Sequence, residues 1–416
     1  MDFNKVRPGY VKSSERTIKI HVSELKIGMF VSQLDRPWLE TPFLMQGFVV
    51  ETLDDINAIS EYSQHVWVDA VTDEWVPPEE RATLAGQSKK VTYINKIDAK
   101  AEHSAALETY RAARRITRTI LDDIRLGGVI NTEQAKTTVK DCVHSILRNS
   151  DALLWMSKIR SQDEYTAEHC LNVCILAIAF ARHLGMSEAE LEKVGMCGLL
   201  HDVGKMRVDP SVLNKPSSLT DKERNIMRAH ATHGRNLLMA SPGIHNSTID
   251  VAYSHHEKVD GSGYPRGLKA ASISELAKII AIVDAYDAMT ANRCYSPSIP
   301  STEALKIIFK DRGTHFDDRL ALEFIKSVGL YPPGTIVELV NGLVAIVFET
   351  NLKYRHLPKI IVVKNQDKAL GKNVLVDLAD VEKNKMDKSF LIKRALKDGE
   401  FGVFIKDYRE QGLALS

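Results

Sequence analysis

Beyond a polar tail that reaches about Glu15, the chain opens with short apolar runs of strand type. "TIKIHV", "GMFVSQL", "FVVET" and "HVWVDA" fall between turn-forming residues and predict a small β-containing domain over residues 16–76. The next stretch, "VPPEERATLAGQSKK", begins with two prolines and stays polar, so residues 77–97 read as a linker. Helical periodicity takes over from about Asp98. "AALETYRAARRITRTILDDIRL" sets Leu107, Ile116, Ile120 and Ile124 on one stripe, and residues 98–157 read as a helical connector. Residues 158–330 stay mostly helical. After "YPPG" the pattern returns to strands: "TIVELVNGLVAIVFET" is two apolar runs joined by Asn341-Gly342, a two-residue hairpin signal, and "KIIVVKN" adds a third strand. The expected fold is multidomain and mainly α-helical, with a small β-containing domain in front and a β-rich subdomain over 331–416.

Composition narrows the function. A chain of 416 residues exceeds one ordinary core, and 44% hydrophobic with 26% charged residues is a globular, soluble composition. With 55 basic and 54 acidic residues the net charge is +1, which gives no general attraction to nucleic acid or membrane. The arginines of the 98–157 region are accompanied by Glu108, Asp122 and Asp123, so that surface reads as a solvated face; it also leaves a homodimer open. No run approaches the ~18 apolar residues of a membrane span, and "MDFNKVRPGYVKSSERTIKI" lacks the apolar core of a secretion signal. Five unevenly spread cysteines do not make a disulfide framework. The expectation is a cytoplasmic, reduced protein.

Charged residues inside apolar runs point to chemistry. "HCLNVCILAIAFARHLG" is apolar almost all round from Val173 to Ala181, with His169 at its polar end and with Cys170 and Cys174 as small core residues. In "VGMCGLLHDVGKM", His201 and Asp202 end an apolar run. An ionised Asp there costs several kcal/mol unless a cation compensates it. Lys205 stands about a turn away, so a plain ion pair is one solution. In "ELAKIIAIVDAYDAMTANR", Asp284 and Asp287 share a helix face and repel unless something positive lies beside them. "MRAHATHG" adds His230, and "HHEKVDGSGYP" adds the adjacent His255 and His256 before a glycine-rich turn. Together these imidazoles and carboxylates suit iron, manganese, nickel or zinc, and they are too many for one tetrahedral ion. Two divalent metals follow, with Asp202 able to bridge them. Such a pair suits hydrolysis of phosphate esters, in which a bridging hydroxide attacks and both ions offset the developing charge.

The combination "HD" with "GK" (His201, Asp202, Gly204, Lys205), then "HHEKVDGSGYPRGL", then "DAYDAMTANR", resembles the HD-GYP domain of the HD superfamily, bacterial phosphodiesterases that hydrolyse cyclic di-GMP. The resemblance runs from about Asp163 to Phe324 and takes in "DEYTAEH", "LNKPSSLTDKE" and "GTHFDDRLALEF". The preceding "ELKIGMFVSQLDRPWLETPFLMQGF" resembles a small domain often found ahead of HD-GYP, which implies a regulatory role for residues 16–76. The resemblance makes His169, His201, Asp202, His230, His255, His256 and Asp284 metal ligands around two divalent ions, iron or manganese first, then nickel or zinc. Lys205 would contact the scissile phosphate, Arg293 a substrate phosphate, and Asp260, Gly261, Gly263, Tyr264 and Pro265 would form the loop at the edge of the site. Asp287, with Asp260, would act from behind the ligands. His183, His233 and His315 fall outside the pattern. Where relatives bind a third metal through a Glu this chain has Tyr165, and "RCYS" puts Cys294 and Ser296 where many relatives have proline and a second cation. The implied reaction is cleavage of cyclic di-GMP to linear pGpG, with GMP as the product of a second cut. A 3′3′-cyclic GMP-AMP hydrolase and a weakly catalytic cyclic di-GMP receptor are the alternatives.

Overall fold

The structure is a computed structural model, and it describes residues 17–27, 29–36, 48–50, 53–69, 90–157, 165–291, 299–351 and 353–410. The chain divides into two compact units, residues 1–89 and 90–416. In the first, strands β1 (Thr17–His21), β2 (Phe30–Leu34), β3 (Phe48–Val49) and β4 (His65–Asp69) pair antiparallel in the order β1-β4-β2-β3. They coincide with the four predicted runs. A helix that the strand pattern did not predict, α1 (Leu53–Tyr62), adds Ile59 to a core of Val31, Leu34, Val66 and Val68.

The second unit begins with residues 90–97, which lie against helices rather than free of them. The Val91 amide donates to the Gly185 carbonyl at 2.8 Å, the Tyr93 hydroxyl to the Met186 carbonyl at 2.8 Å, and the Lys96 amide to the Arg148 carbonyl at 2.8 Å. These eight residues therefore depart from the linker expectation; residues 77–89 lie outside the described residues. The expected connector is likewise part of the bundle. It comprises α2 (Ala99–Arg125), α3 (Thr132–Arg148) and α4 (Ser150–Ser157). The buried stripe of α2 runs through Glu102, Ala106, Tyr110, Ala113, Thr117, Ile120 and Ile124, while Leu107 and Ile116 are only half-buried. Small residues let the neighbouring helices approach, and Glu102 is inside because the Arg148 fork donates two bonds to it at 2.7 Å and Ser145 a third at 2.9 Å.

Helix α5 (Tyr165–His183) is the apolar centre of the bundle: Leu171, Val173, Ile175 and Ala177 have no exposure. Cys170 and Cys174 are fully buried, and burial pushes the Cys170 thiol up to about 12, which fits core residues. The bundle continues with α6 (Glu188–Leu200), the short α7 (Pro210–Leu213), α8 (Asp221–Arg228), α9 (His230–Met239), α10 (Asn246–Ser254), α11 (Glu275–Thr290), α12 (Ser301–Lys310) and α13 (Asp318–Val328), of which α6, α11 and α13 pack on α5. Several begin where a side chain accepts from an orphan amide: Asp98 from Ala101, Ser274 from Ala277 and Asp317 from Leu320. No helix among the described residues is long and apolar enough to cross a membrane.

The C-terminal sheet is antiparallel, in the order β8-β7-β6-β5-β9, built from β5 (Ile336–Leu339), β6 (Val344–Glu349), β7 (Lys359–Lys364), β8 (Leu370–Asp377) and β9 (Ile392–Leu396). Its first hairpin has a three-residue loop rather than the expected two. Leu339 and Leu343 still pair through an amide–carbonyl bond of 2.9 Å, so Val340, Asn341 and Gly342 make the turn, with Gly342 at φ 84°. A last helix, α14, spans Ile405–Glu410. The sheet is tied to the bundle by Asp151, buried in α4, which accepts from the Thr350 amide at 2.7 Å and its hydroxyl at 2.6 Å.

Candidate metal centre

Five segments bring the predicted ligands together, three of them at helix ends. His201 and Asp202 directly follow α6, His230 is the first residue of α9, and His255 and His256 directly follow α10; His169 lies in the second turn of α5 and Asp284 inside α11. At a helix end the backbone leaves the 3.6-residue repeat, so neighbours such as His255 and His256 face one centre. Gly204 permits the approach of α9: a β-carbon there would lie 1.9 Å from the His230 carbonyl oxygen and 2.4 Å from the Gly234 nitrogen. No other residue fits.

Three imidazoles are oriented by carbonyls of the helix that precedes each. Nδ1 of His201 meets the Gly198 carbonyl at 2.7 Å, that of His230 the Met227 carbonyl at 2.7 Å, and that of His255 the Val251 carbonyl at 3.1 Å. A carbonyl only accepts, so Nδ1 carries the proton and Nε2 presents its lone pair inward. His169 uses a carboxylate instead: its Nδ1 donates to Asp287 Oδ2 at 2.7 Å, the arrangement that fixes a ligand ring from behind.

The two oxygens of Asp202 face different partners. Oδ1 lies 3.3 Å from His230 Nε2 and 3.7 Å from His255 Nε2. Oδ2 lies 3.3 Å from His201 Nε2 and 3.5 Å from His169 Nε2, and accepts from the Lys205 ammonium. Asp284 Oδ1 adds to the second set, 3.0 Å from His169 Nε2. His256 joins the first set, its ring centre 4.1 Å from that of His255 and 4.9 Å from that of His230. The groups whose ligand atoms lie close enough to hold an ion include Asp202–His230–His255–His256 and His169–His201–Asp202.

The residues fit metal ions. His201 Nε2 and Asp202 Oδ1, one in each of these two sets, are buried without a hydrogen-bond partner, and buried lone pairs of this kind call for cations. Burial lowers His230 to about 3 and takes His256 well below its ordinary value, so both imidazoles are neutral, as ligation requires. Burial opposes the charged form of Asp202, yet Lys205 and the histidines hold its carboxyl well below the usual range; at Asp284, His169 does the same.

The loop after His256 forms the rim. Tyr264 stacks on His256 with ring centres 4.7 Å apart, and its peptide to Pro265, which is exposed, is cis. A β-carbon on Gly263 would meet the Lys258 nitrogen at 2.3 Å, and Gly261 turns the chain at φ 86°. Asp260 departs from expectation: its exposed carboxylate accepts from the Ser262 amide at 2.8 Å, so it shapes the turn and does not back a ligand. The residue that secures the loop is Glu257, buried and accepting from the Arg266 amide at 2.7 Å and the Leu268 amide at 2.9 Å. Sequence reasoning gave it no role, although its place beside the paired histidines was the available signal. Another buried carboxylate, Glu168, precedes His169 and pairs with Arg114 at 2.8 Å. Arg293, with Cys294 and Ser296, lies outside the described residues, as do Asp163 and Glu164. His183 bonds Glu323 at 3.0 Å and the His315 carbonyl accepts from Val259, both structural uses.

A helical domain whose helix ends converge on buried histidines and aspartates defines a phosphohydrolase of the HD class. A family profile described as an HD domain matches residues 146–320, the span that holds every predicted ligand, and a domain of unknown function (DUF3391) matches residues 17–135. The chain is 35% identical over 353 residues to "Cyclic di-GMP phosphodiesterase PA4108" of Pseudomonas aeruginosa, covering 83% of this chain and 84% of that one. It therefore belongs to the HD-GYP family of phosphodiesterases and is an enzyme of that family. It is also 34% identical over 175 residues to "3'3'-cGAMP-specific phosphodiesterase 3" of Vibrio cholerae, covering 42% of this chain and 38% of that one. Among solved structures, the "HDG"Y"P protein" Bd1817 of Bdellovibrio bacteriovorus aligns with a TM-score of 0.46 and 17% identity, over 75% of this chain and 99% of that one.

Proposed function

We propose that the chain hydrolyses cyclic di-GMP to the linear dinucleotide pGpG at a dinuclear metal centre held by His169, His201, Asp202, His230, His255, His256 and Asp284. The observation that carries this reading is the division of Asp202, one oxygen toward each histidine set, which is the placement of a bridging ligand. Two divalent ions, iron or manganese, would activate water and offset charge on the phosphate. The protein's part is arrangement. Nδ1 bonds and Asp287 keep the ligand rings from turning. Lys205 reaches from Asp202, whose side chain is 1% exposed, to a position 21% exposed, where its ammonium can meet a phosphate oxygen. Tyr264 stacks on His256 beside the same centre.

The test is product formation from cyclic di-GMP and, in parallel, 3′3′-cyclic GMP-AMP, the substrate that the Vibrio relative's name gives. Protein purified without oxygen is assayed with its native metal counted and with iron or manganese restored. Cleavage of cyclic di-GMP and about two metals per chain, the number the split Asp202 implies, is the expected result. Preference for the mixed dinucleotide would redirect the substrate, and bound cyclic di-GMP without turnover would make the protein a receptor. Asp202→Ala and His201→Ala abolish both turnover and bound metal, whereas Lys205→Ala lowers turnover with metal retained; full activity in Asp202→Ala would sink the dinuclear reading.

A further inference from the structure

One cation at the rim has no role in the arrangement described above. Arg228 is the exposed last residue of α8, two positions before His230. Its guanidinium lies 5.1 Å from the centre of the Tyr264 ring, and that ring stacks on His256. Among the described residues no carboxylate lies within ion-pairing distance of it, in contrast to Arg224 one turn earlier, which pairs with Asp221, and to Lys205, which pairs with Asp202. A guanidinium lying against an aromatic ring keeps its N–H edge free while the stacking holds its plane, so the loss of freedom on binding an anion is small. The ring beneath it is itself packed against a metal-ligand candidate. Arg228 is thus a directed, uncommitted donor at the mouth of a centre built for a phosphodiester.

We infer that Arg228, stacked on Tyr264, binds the second, uncleaved phosphate of the substrate and so sets affinity for a cyclic dinucleotide over a single phosphodiester. The inference rests on the proposed cyclic dinucleotide reaction. A cyclic dinucleotide carries two phosphodiesters in one small ring. When one is seated between Lys205 and the metal ligands, the other has to lie at the opening, where the Arg228 fork offers bidentate, charge-assisted bonds. Because the contact is present both before and during cleavage, its loss raises KM and leaves kcat nearly as it was.

The experiment compares wild type, Arg228→Ala, Arg228→Lys and Arg224→Ala in steady-state hydrolysis of cyclic di-GMP with the metal-loaded full chain. Arg228→Ala is expected to raise KM roughly ten-fold, the scale of one charged hydrogen-bonding contact. Arg228→Lys should recover part of that loss, since it keeps the charge but not the fork, and Arg224→Ala should match wild type. Arg224 and Arg228 are both exposed, and circular dichroism with metal counting verifies that the variants are folded and loaded. An unchanged KM in Arg228→Ala overturns the inference, and so does a fall in kcat alone. If wild type itself cleaves no cyclic dinucleotide, the substrate reading fails first, a result that no variant comparison can mimic.

Discussion

Gly204 holds the site together by having no side chain. Any β-carbon there drives into the backbone of α9 at His230 and Gly234, and main chain cannot step aside as a flexible side chain can. Gly204→Ala is therefore expected to cost about 1–3 kcal/mol or more, the range for overpacking, and to lower bound metal together with the midpoint of thermal unfolding. Asp287 acts differently, through its bond to His169. Asp287→Asn keeps the shape but weakens the hold on the ring, so metal affinity should drop roughly 10–100-fold, read by competition with a chelator, while the unfolding midpoint of the metal-free protein stays close to wild type. At this scale the sequence was most legible where a charge interrupts an apolar run. Asp202 and Asp284 stood out for that reason. Glu102, Glu168 and Glu257 did not, because their compensating partners, Arg148, Arg114 and the amides of Arg266 and Leu268, come from segments whose proximity only the fold creates.

Helices and strands were legible where one pattern dominated over their whole length. The all-round apolar α5 and the four N-terminal strands coincide with their predicted runs, since each is fixed by local burial. The stripe of α2 differs from the one that its large apolar residues predict, because alanine and threonine occupy the close-contact positions. In the first C-terminal hairpin, Asn-Gly marked the turn correctly, but Val340 joins the loop and Gly342 adopts the left-handed position of a three-residue turn. One pairing between elements carries a pH dependence. His183 of α5 bonds Glu323 of α13, and this bond, against opposing burial, lowers the Glu323 carboxyl from 4.5 to about 2. A folded-state value below the unfolded one means that the stabilisation is fully present above about pH 4.5 and is lost as pH falls toward 2. The stability difference between wild type and Glu323→Gln, from urea unfolding at a series of pH values, should be present above about pH 4.5 and shrink over that acid interval. A difference independent of pH would show that the pair contributes by packing alone.

The whole molecule consists of two units with separate cores, and the first hydrogen-bonded contacts of the second begin at Val91. A chain starting at residue 90 is expected to fold, bind its metal and retain turnover, whereas one starting at residue 98 loses the Val91, Tyr93 and Lys96 bonds and should unfold at a lower temperature by differential scanning fluorimetry. Equal midpoints for the two would mean that the segment adds nothing. The ligands themselves are spread from His169 to Asp284, on segments that meet only after α5, α6, α9, α10 and α11 have docked. During synthesis the chain emerges from its N-terminus, so a nascent protein halted before Asp284 lacks one of the candidate ligands. Only when α11 has left the ribosome can all the candidate ligands meet. The proposed metal site is therefore completed late in the synthesis of the chain.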